Sequence, residues 1–147
     1  MAFARTLRGD VAPETLGVVN AHDHLIRVGA GEVYIDGDHQ LDDVDKAVQE
    51  ASYFVAASKN WTPNGGTVVD MCPINCGRDL ERLAKVEERV DGLQIIQSTG
   101  FHQEKVYLET QSHWVSRYSV DKIAELIIAD ITAVSYTHLT LPTNREV

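Results

Sequence analysis

The sequence lacks the features that mark membrane, secreted and nucleic-acid-binding proteins. No apolar run approaches the roughly 20 residues that cross a bilayer, and the start, MAFARTLRGD, has no apolar core of the kind a secretory signal requires. Lys and Arg number 13 against 22 Asp and Glu, a formal net charge of −9, whereas phosphate backbones demand clustered basic residues. We therefore expect a cytoplasmic protein with small-molecule partners, and neither nucleic acid nor membrane among them.

Cysteine is also scarce. The two cysteines, Cys72 and Cys76, are spaced CxxxC, which differs from the CxxC of common zinc and thioredoxin-type motifs. This spacing favours a pair of small residues in a loop of a reduced protein. A redox or zinc role is the alternative.

The chain does have the composition of a globular domain with one core, at 44% hydrophobic and 24% charged residues. Short β-branched runs predict strands at residues 16–21, 67–71 and 93–98. Amphipathic segments predict helices near residues 43–59, 79–90 and 120–131, on one side of the sheet. Strands that are each followed by a helix specify parallel pairing, so the fold class is α/β, with a barrel and an open sheet both compatible.

Helix ends and loops follow from the same pattern. Asp42 stands before the first helix with Asp45 three residues on, as in a capping box, and Ser119 is the predicted cap of the third helix. Irregular stretches are predicted at residues 25–41 and 100–118. Both follow the carboxyl end of a strand, where α/β proteins build their sites.

Two histidines stand immediately after the first predicted strand. His22 and His24 are two residues apart, and in extended chain residues i and i+2 project to the same face. Two imidazoles on one rigid strand form half of a coordination shell for a borderline cation such as zinc. An HxH taken alone is also compatible with solvent-facing or core histidines, but its position at a strand end favours a metal site.

The segments around these histidines resemble the phosphotriesterase family, a branch of the amidohydrolase superfamily. TLGVVNAHDHL is similar to the family's first strand with its metal-holding HxH, and GGTVVDMCPINCGRDLERL to its second strand and the Gly-Arg-Asp opening of its second helix. IIQSTGFH and SVDKIAELIIADI are similar to the third strand and the helix after it, so the resemblance runs in order over residues 15–132. One departure is Asp23, where Glu is the usual residue. A shorter carboxylate there need not disturb either ligand.

This resemblance implies a (β/α)8 TIM barrel of about 250 residues or more, of which residues 1–132 would supply roughly the first three βα units. It implies two divalent metals, expected to be zinc, bridged by hydroxide and by a carbamylated lysine or a glutamate from the fourth strand. Two further histidines and an aspartate would come from later strands, which leaves His22 and His24 as the family ligands placed in this sequence. The implied activity is hydrolysis of phosphotriester, lactone or related ester bonds by a metal-activated hydroxide, in a parent enzyme expected to be a homodimer.

A third histidine is the candidate for substrate contact. His102 stands two residues beyond Gly100, where related lactonases often place an aromatic residue that lines the substrate pocket. The alternative is a loop histidine that happens to match. His113, Trp114 and Tyr118 lie in the same loop, and we expect them to pack it against the barrel.

The resemblance ends after Thr132, where the sequence continues AVSYTHLTLPTNREV. Residues 136–141 alternate polar and apolar side chains, as a short strand does. The segment also resembles translated adapter read-through, and we favour this second interpretation. On that interpretation His138 is not a ligand. We therefore expect residues 1–132 to be the amino-terminal part of a longer hydrolase, inactive by itself, and residues 133–147 to be a non-native tail. An unpaired edge strand would make such a chain poorly soluble. The competing hypothesis is a small non-catalytic α/β ligand-binding module.

Overall fold

Two sheets make up the strand structure of the described residues. The structure, a computed structural model, describes residues 2–102 and 117–136, with side chains up to residue 133. Strands β1 (Ala4–Thr6) and β2 (Gly9–Val11) form an antiparallel hairpin. Strands β3 (Val18–Asp23), β4 (Gly66–Asp70) and β5 (Leu93–Gln97) form a parallel sheet in that order. The predicted parallel pairing of the three main strands is therefore confirmed.

Four α-helices accompany these strands in the described ranges: α1 (Ala30–Ile35), α2 (Val44–Ser58), α3 (Leu80–Arg89) and α4 (Val120–Tyr136). Helices α2 and α3 connect the three parallel strands and pack against each other on one side of the sheet. Short 3-10 helices occur at Pro13–Thr15 and Gly37–His39. None of these helices combines the length and apolarity that crossing a bilayer requires.

Several local predictions need correction. Helix α2 is capped by Asp43, which accepts hydrogen bonds from the N–H groups of Asp45 and Lys46, and Asp42 lies one residue too early. The hairpin was not predicted, and residues 25–41 contain α1 although they were expected to be irregular. The cap at Ser119 is confirmed, because its Oγ accepts from the Lys122 N–H at 3.2 Å.

Helix α4 continues to Tyr136, past its predicted end at residue 131. Residues 137–147 lie outside the described residues. They include His138 and most of the short strand considered at residues 136–141. The domain boundary at residue 132 therefore stays a prediction.

The core fills the space between the parallel sheet and helices α2 and α3. On α2, buried residues recur every three or four positions, as expected for one face of a helix. Each fully buried Leu, Ile or Val side chain contributes roughly 1.5–3 kcal/mol. The buried apolar side chains of this core are Leu7, Ile26, Ala47, Ala51, Val55, Val68, Leu83, Val86, Val90, Leu93 and Ile95.

The amino ends of the parallel strands are joined by close backbone contacts at glycines. Gly17 and Gly65 precede β3 and β4 with φ of +71° and +78°, a region that side chains disfavour. The Val18 N–H donates to the Gly65 carbonyl at 3.2 Å, and the Gly66 N–H donates to the Gly92 carbonyl at 3.0 Å. A Cβ atom on Gly65 would lie 2.3 Å from the Gly92 oxygen. These contacts fix the relative positions of the strands at this end of the sheet.

The hairpin covers the middle of the outer edge of β5. At the hairpin tip, the Leu7 N–H donates to the Ile95 carbonyl at 2.9 Å, and Glu87 Oε1 accepts from the Ile95 N–H at 2.9 Å. Burial raises the pKa of the Glu87 carboxyl, while the Ile95 N–H and Arg8 act in the opposite direction. Both backbone groups of Ile95 are thus bonded, so this edge is less open than the sequence suggested.

Substitution of Gly65 by alanine should destabilise the fold by roughly 2 kcal/mol or more, because it combines a positive φ with a backbone clash. Gly9→Ala is the matched control, since its φ of +111° is also positive but an added Cβ would meet nothing within 4 Å. Urea unfolding of both variants measures the difference in the free energy of unfolding. Equal losses would contradict the role assigned to the contact between Gly65 and Gly92.

Candidate metal centre

The two histidines of the HxH motif share one face at the carboxyl end of β3. His22 is the penultimate residue of the strand and is exposed, and His24 follows the strand and is half-buried. Their ring centroids are 5.4 Å apart, with the rings nearly perpendicular at 79°. Two rings with centroids this close can each turn one nitrogen toward a shared cation, whose ligand distances are about 2.1 Å. The two rings are therefore neighbours, and their role as metal ligands stays a prediction.

A β-bulge places these histidines. The pairing of β3 with β4 shifts between Asn20, opposite Val68, and Asp23, opposite Asp70, so the strand carries one extra residue there. Bulges of this kind re-aim side chains next to sites. The Asn20 side chain supports the bulge, since its Oδ1 accepts from the His22 N–H at 3.3 Å and its Nδ2 donates to Asp23 Oδ2 at 2.7 Å.

Asp23 has a local structural role. Besides its bond to Asn20, its Oδ1 accepts from the His24 N–H at 2.8 Å. Both carboxylate oxygens therefore close the turn that carries the HxH motif. This accounts for a short carboxylate at the position between the two histidines, where a longer side chain is usual in the family the sequence resembles.

Asp70 ties the ends of the strands together. Its side chain is completely buried, its Oδ2 accepts from the Leu25 N–H and its Oδ1 from the Cys72 N–H, each at 2.9 Å. Its backbone carbonyl accepts from the Ser98 N–H at 3.0 Å. A buried carboxylate requires such donors. Asp70 was not among the predicted site residues. A charged residue directly after the apolar run TVV is a signal that could have indicated it.

The two cysteines are free and buried, as a reduced pair should be, but one of them contacts the HxH motif. Cys72 Sγ lies 3.0 Å from His24 Nδ1. A hydrogen bond with Cys76, together with burial, raises the pKa of the Cys72 thiol, whereas the bond from Cys72 lowers the pKa of the Cys76 thiol. Ligand atoms of His24, Asp70 and Cys72 all lie within 4.8 Å of one another, a spacing that either a shared metal ion or mutual hydrogen bonds would explain.

Glu32 on α1 links three loops that follow the parallel strands. Its carboxylate lies 2.9 Å from Arg27 Nη1, 2.5 Å from His102 Nε2 and 3.5 Å from Cys76 Sγ. Asn75 holds the backbone of His102 from both sides, accepting from its N–H at 2.6 Å and donating to its carbonyl at 3.2 Å. The ring of His102 is thus paired with Glu32, and a substrate contact by His102 stays a prediction.

The remaining aromatic candidates lie outside the described residues or near the surface. His113 and Trp114 lie outside the described residues, and Tyr118 is 43% exposed. An open cavity of about 550 Å³ lies between the end of β3 and the start of α2. It is lined by polar groups that include His24, Asp42, Asp43, Lys46 and Glu50.

Asp70→Asn should cost roughly 2–3 kcal/mol of stability, because the amide keeps one acceptor oxygen and leaves a buried N–H of Leu25 or Cys72 without its partner. Asp36→Asn is the matched control: Asp36 Oδ1 also accepts from the N–H two residues on, that of Asp38, but at an exposed site. Chemical unfolding measures both losses. A loss at Asp70 no larger than that at Asp36 would be inconsistent with the tethering role.

Known proteins match this chain over most of its length. The model of the phosphotriesterase family matches residues 2–139. A phospho-furanose lactonase from Mycoplasmopsis agalactiae is 35% identical over 130 residues, which are 88% of this chain and 35% of that protein. The chain therefore spans about a third of the length of the curated relatives it matches.

Solved structures agree. An amidohydrolase from Mycoplasma synoviae superposes with a TM-score of 0.75 at 35% identity, covering 86% of this chain and 35% of that one. A lactonase from Listeria monocytogenes superposes with a TM-score of 0.61 at 31% identity, covering 72% and 30%. The predicted fold class, α/β with a portion of a (β/α)8 TIM barrel, is confirmed by this similarity. The chain belongs to the phosphotriesterase family.

Proposed function

We propose that this chain contributes His22 and His24 as metal ligands to a hydrolase that cleaves lactone, phosphotriester or related ester bonds. The observation that carries the proposal is the pair of rings with centroids 5.4 Å apart at the carboxyl end of a parallel strand, the end at which TIM barrels build their active sites. Membership of the phosphotriesterase family and the similarity to lactonases support it.

The donor atoms suit a divalent cation such as zinc. Two neutral imidazoles are typical ligands of a catalytic zinc. His24 uses Nδ1 in its contact with Cys72, which leaves Nε2 as the ligating nitrogen. When bound, a pair of divalent cations would supply an activated water and would polarise the oxygen of the bond to be cleaved.

The chain's own residues prepare this site by orientation. The bulge supported by Asn20 turns the HxH motif, Asp23 closes the turn around it, and Asp70 anchors the backbone immediately after His24. Held in this way, the backbone around both histidines is fixed before any cation binds. Such preorganisation lowers the cost of forming the coordination shell.

We assign His102 to the substrate side of the site. Its backbone is fixed by Asn75 and its Nε2 is paired with Glu32, so Nδ1 is the ring atom left for a substrate group, and in the neutral ring it accepts from a substrate hydroxyl. Glu32 also binds Arg27, which keeps this region of the site close to charge balance. A polar substrate oxygen fits such a neighbourhood better than an apolar group does.

Two imidazoles do not complete a catalytic zinc site, which needs a third protein ligand. The further ligands expected for the family would come from sequence that follows the third βα unit, and this chain spans 35% of the length of the lactonase it resembles. We therefore propose that hydrolysis belongs to the longer protein. A non-catalytic binding module is the alternative, and it predicts no metal dependence on His22 and His24.

The 147-residue chain should bind Zn²⁺ or Co²⁺ weakly and should lose that binding in His22→Ala and in His24→Ala. His39→Ala is the control, because His39 is an exposed histidine in the Gly37–His39 turn. Calorimetric titration measures the affinities. Binding that survives in both variants, or that falls equally in the control, would refute the assignment of the two ligands.

The same chain should show no lactonase, esterase or phosphotriesterase turnover above background with added zinc, cobalt or manganese. A cation held by two imidazoles keeps most of its water shell, so it lowers the pKa of bound water too little to supply hydroxide near neutral pH. Initial rates on one substrate of each class provide the measurement. Turnover by a monodisperse preparation that disappears in His22→Ala or His24→Ala would contradict this expectation.

A further inference from the structure

We propose that Cys72 is a positioning residue for His24, whose Nδ1–H donates to the Cys72 sulfur. This contact selects the tautomer of His24 with its lone pair on Nε2 and holds the plane of the ring. The consequence for metal binding rests on the function proposed above, but the tautomer itself does not.

The distance between the two groups separates this role from direct ligation. His24 Nδ1 and Cys72 Sγ are 3.0 Å apart, a contact that accommodates one hydrogen. Nitrogen and sulfur bound to the same tetrahedral zinc, at about 2.1 and 2.3 Å, would be roughly 3.6 Å apart. The third member of the group, Asp70, already uses both carboxylate oxygens for the N–H groups of Leu25 and Cys72. His24, Asp70 and Cys72 are therefore better described as a hydrogen-bonded cluster than as a metal-ligand set.

The sulfur is held firmly enough to orient a ring. Cys72 is completely buried, its N–H donates to Asp70 Oδ1 at 2.9 Å, and its carbonyl accepts from Gln97 Nε2 at 2.8 Å. The position of Sγ is thus set by the ends of β4 and β5. Because Asp70 also binds the N–H of Leu25, one carboxylate fixes the backbone beside both partners.

The chemistry of the two partners allows the bond in the direction we propose. His24 Nδ1 lies 3.0 Å from Cys72 Sγ, and the lone pairs of a thiol sulfur accept from an imidazole N–H. A neutral imidazole that donates through Nδ1 has its acceptor at Nε2, the arrangement found where metal-bound histidines donate their other N–H to a neighbouring acceptor.

Loss of such a partner usually weakens metal affinity by 10- to 100-fold. A thiol sulfur is a weaker acceptor than a carboxylate, so we expect Cys72→Ala to weaken Co²⁺ binding by about tenfold. Cys72→Ser keeps a small acceptor and should restore most of the affinity. Cys76→Ser replaces the other buried thiol of the same loop, which is not itself the partner of His24, and should bind Co²⁺ like the unsubstituted chain.

The decisive measurement is the tautomer of His24 in the metal-free chain, read from long-range ¹H–¹⁵N correlations of the imidazole in ¹⁵N-labelled protein. We expect protonated Nδ1 in the unsubstituted chain, in Cys72→Ser and in Cys76→Ser, with a shift toward protonated Nε2 in Cys72→Ala. If Cys72→Ala does not fold, loss of the contact is tested with Cys72→Val, which preserves the volume without an acceptor. Protonated Nε2 in the unsubstituted chain, or a tautomer unaffected by removal of the sulfur, would overturn the proposal.

Absorption spectra of the Co²⁺ complex test direct ligation separately. A sulfur-to-cobalt charge-transfer band that disappears in Cys72→Ser would make Cys72 a ligand and would overturn the positioning role. Failure of the chain to bind Co²⁺ at all, combined with a tautomer that depends on Cys72, would refute the proposed metal function and support the inference about Cys72. The two ideas can therefore fail independently.

Discussion

The Asp70 carboxylate is sealed from solvent at the end of the central strand, and its two oxygens accept N–H bonds from Leu25 and Cys72 at 2.9 Å each. A buried carboxylate is costly to desolvate, so its donors must be held in place for the fold to be stable. Those donors belong to the residue after His24 and to Cys72 itself. This group helps to set the separation of β3 and β4 at their carboxyl ends, and with it the contact of His24 with Cys72, together with the Met71 N–H, which donates to the Asp23 carbonyl at 2.8 Å. Glu32 plays a similar role further from the sheet, where Arg27, Cys76 and His102 converge on it.

The two ends of the parallel sheet have different physical requirements. At the amino ends, Gly17 and Gly65 let backbones approach so closely that no side chain fits, and the Thr67 hydroxyl adds a hydrogen bond to the Leu16 carbonyl at 2.5 Å. At the carboxyl ends, the ladder is interrupted by the bulge in β3, and side chains such as Asn20 and Asp23 satisfy the backbone groups it releases. A rigid amino end allows the fold to tolerate this irregular carboxyl end. Stability and chemistry are thus assigned to opposite ends, as in other TIM barrels.

Local sequence signals predicted the main strands and helices because each carries its own periodicity, such as the spacing of Ala47, Ala51 and Val55 on α2. They failed where the determinant is distant in sequence. Helix α1 follows Gly29 at φ +68° with no side-chain cap, so its one usual start signal is Glu32 in the first turn. The pairing of Glu32 with His102, and that of Glu87 with Arg8, join residues far apart in the chain. The HxH motif was recognisable from its own letters, whereas Cys72 acquires its contact only through the register of β3 with β4.

The same dependence on paired polar groups extends to the last helix. Asp130 on α4 binds Arg78 and accepts from the Thr99 hydroxyl at 2.5 Å, and Arg78 also donates to the Ser98 carbonyl at 3.1 Å. Arg78 and Asp130 are nearly buried, whereas Ile128 on the same helix is 64% exposed, so polar contacts help to hold α4 at the end of β5. Removing one member of such a pair leaves the other buried and uncompensated, which costs more than the pair itself contributes. In this chain the geometry of the strand ends therefore depends on matched charges and donors, and a residue there can be essential without touching substrate or metal.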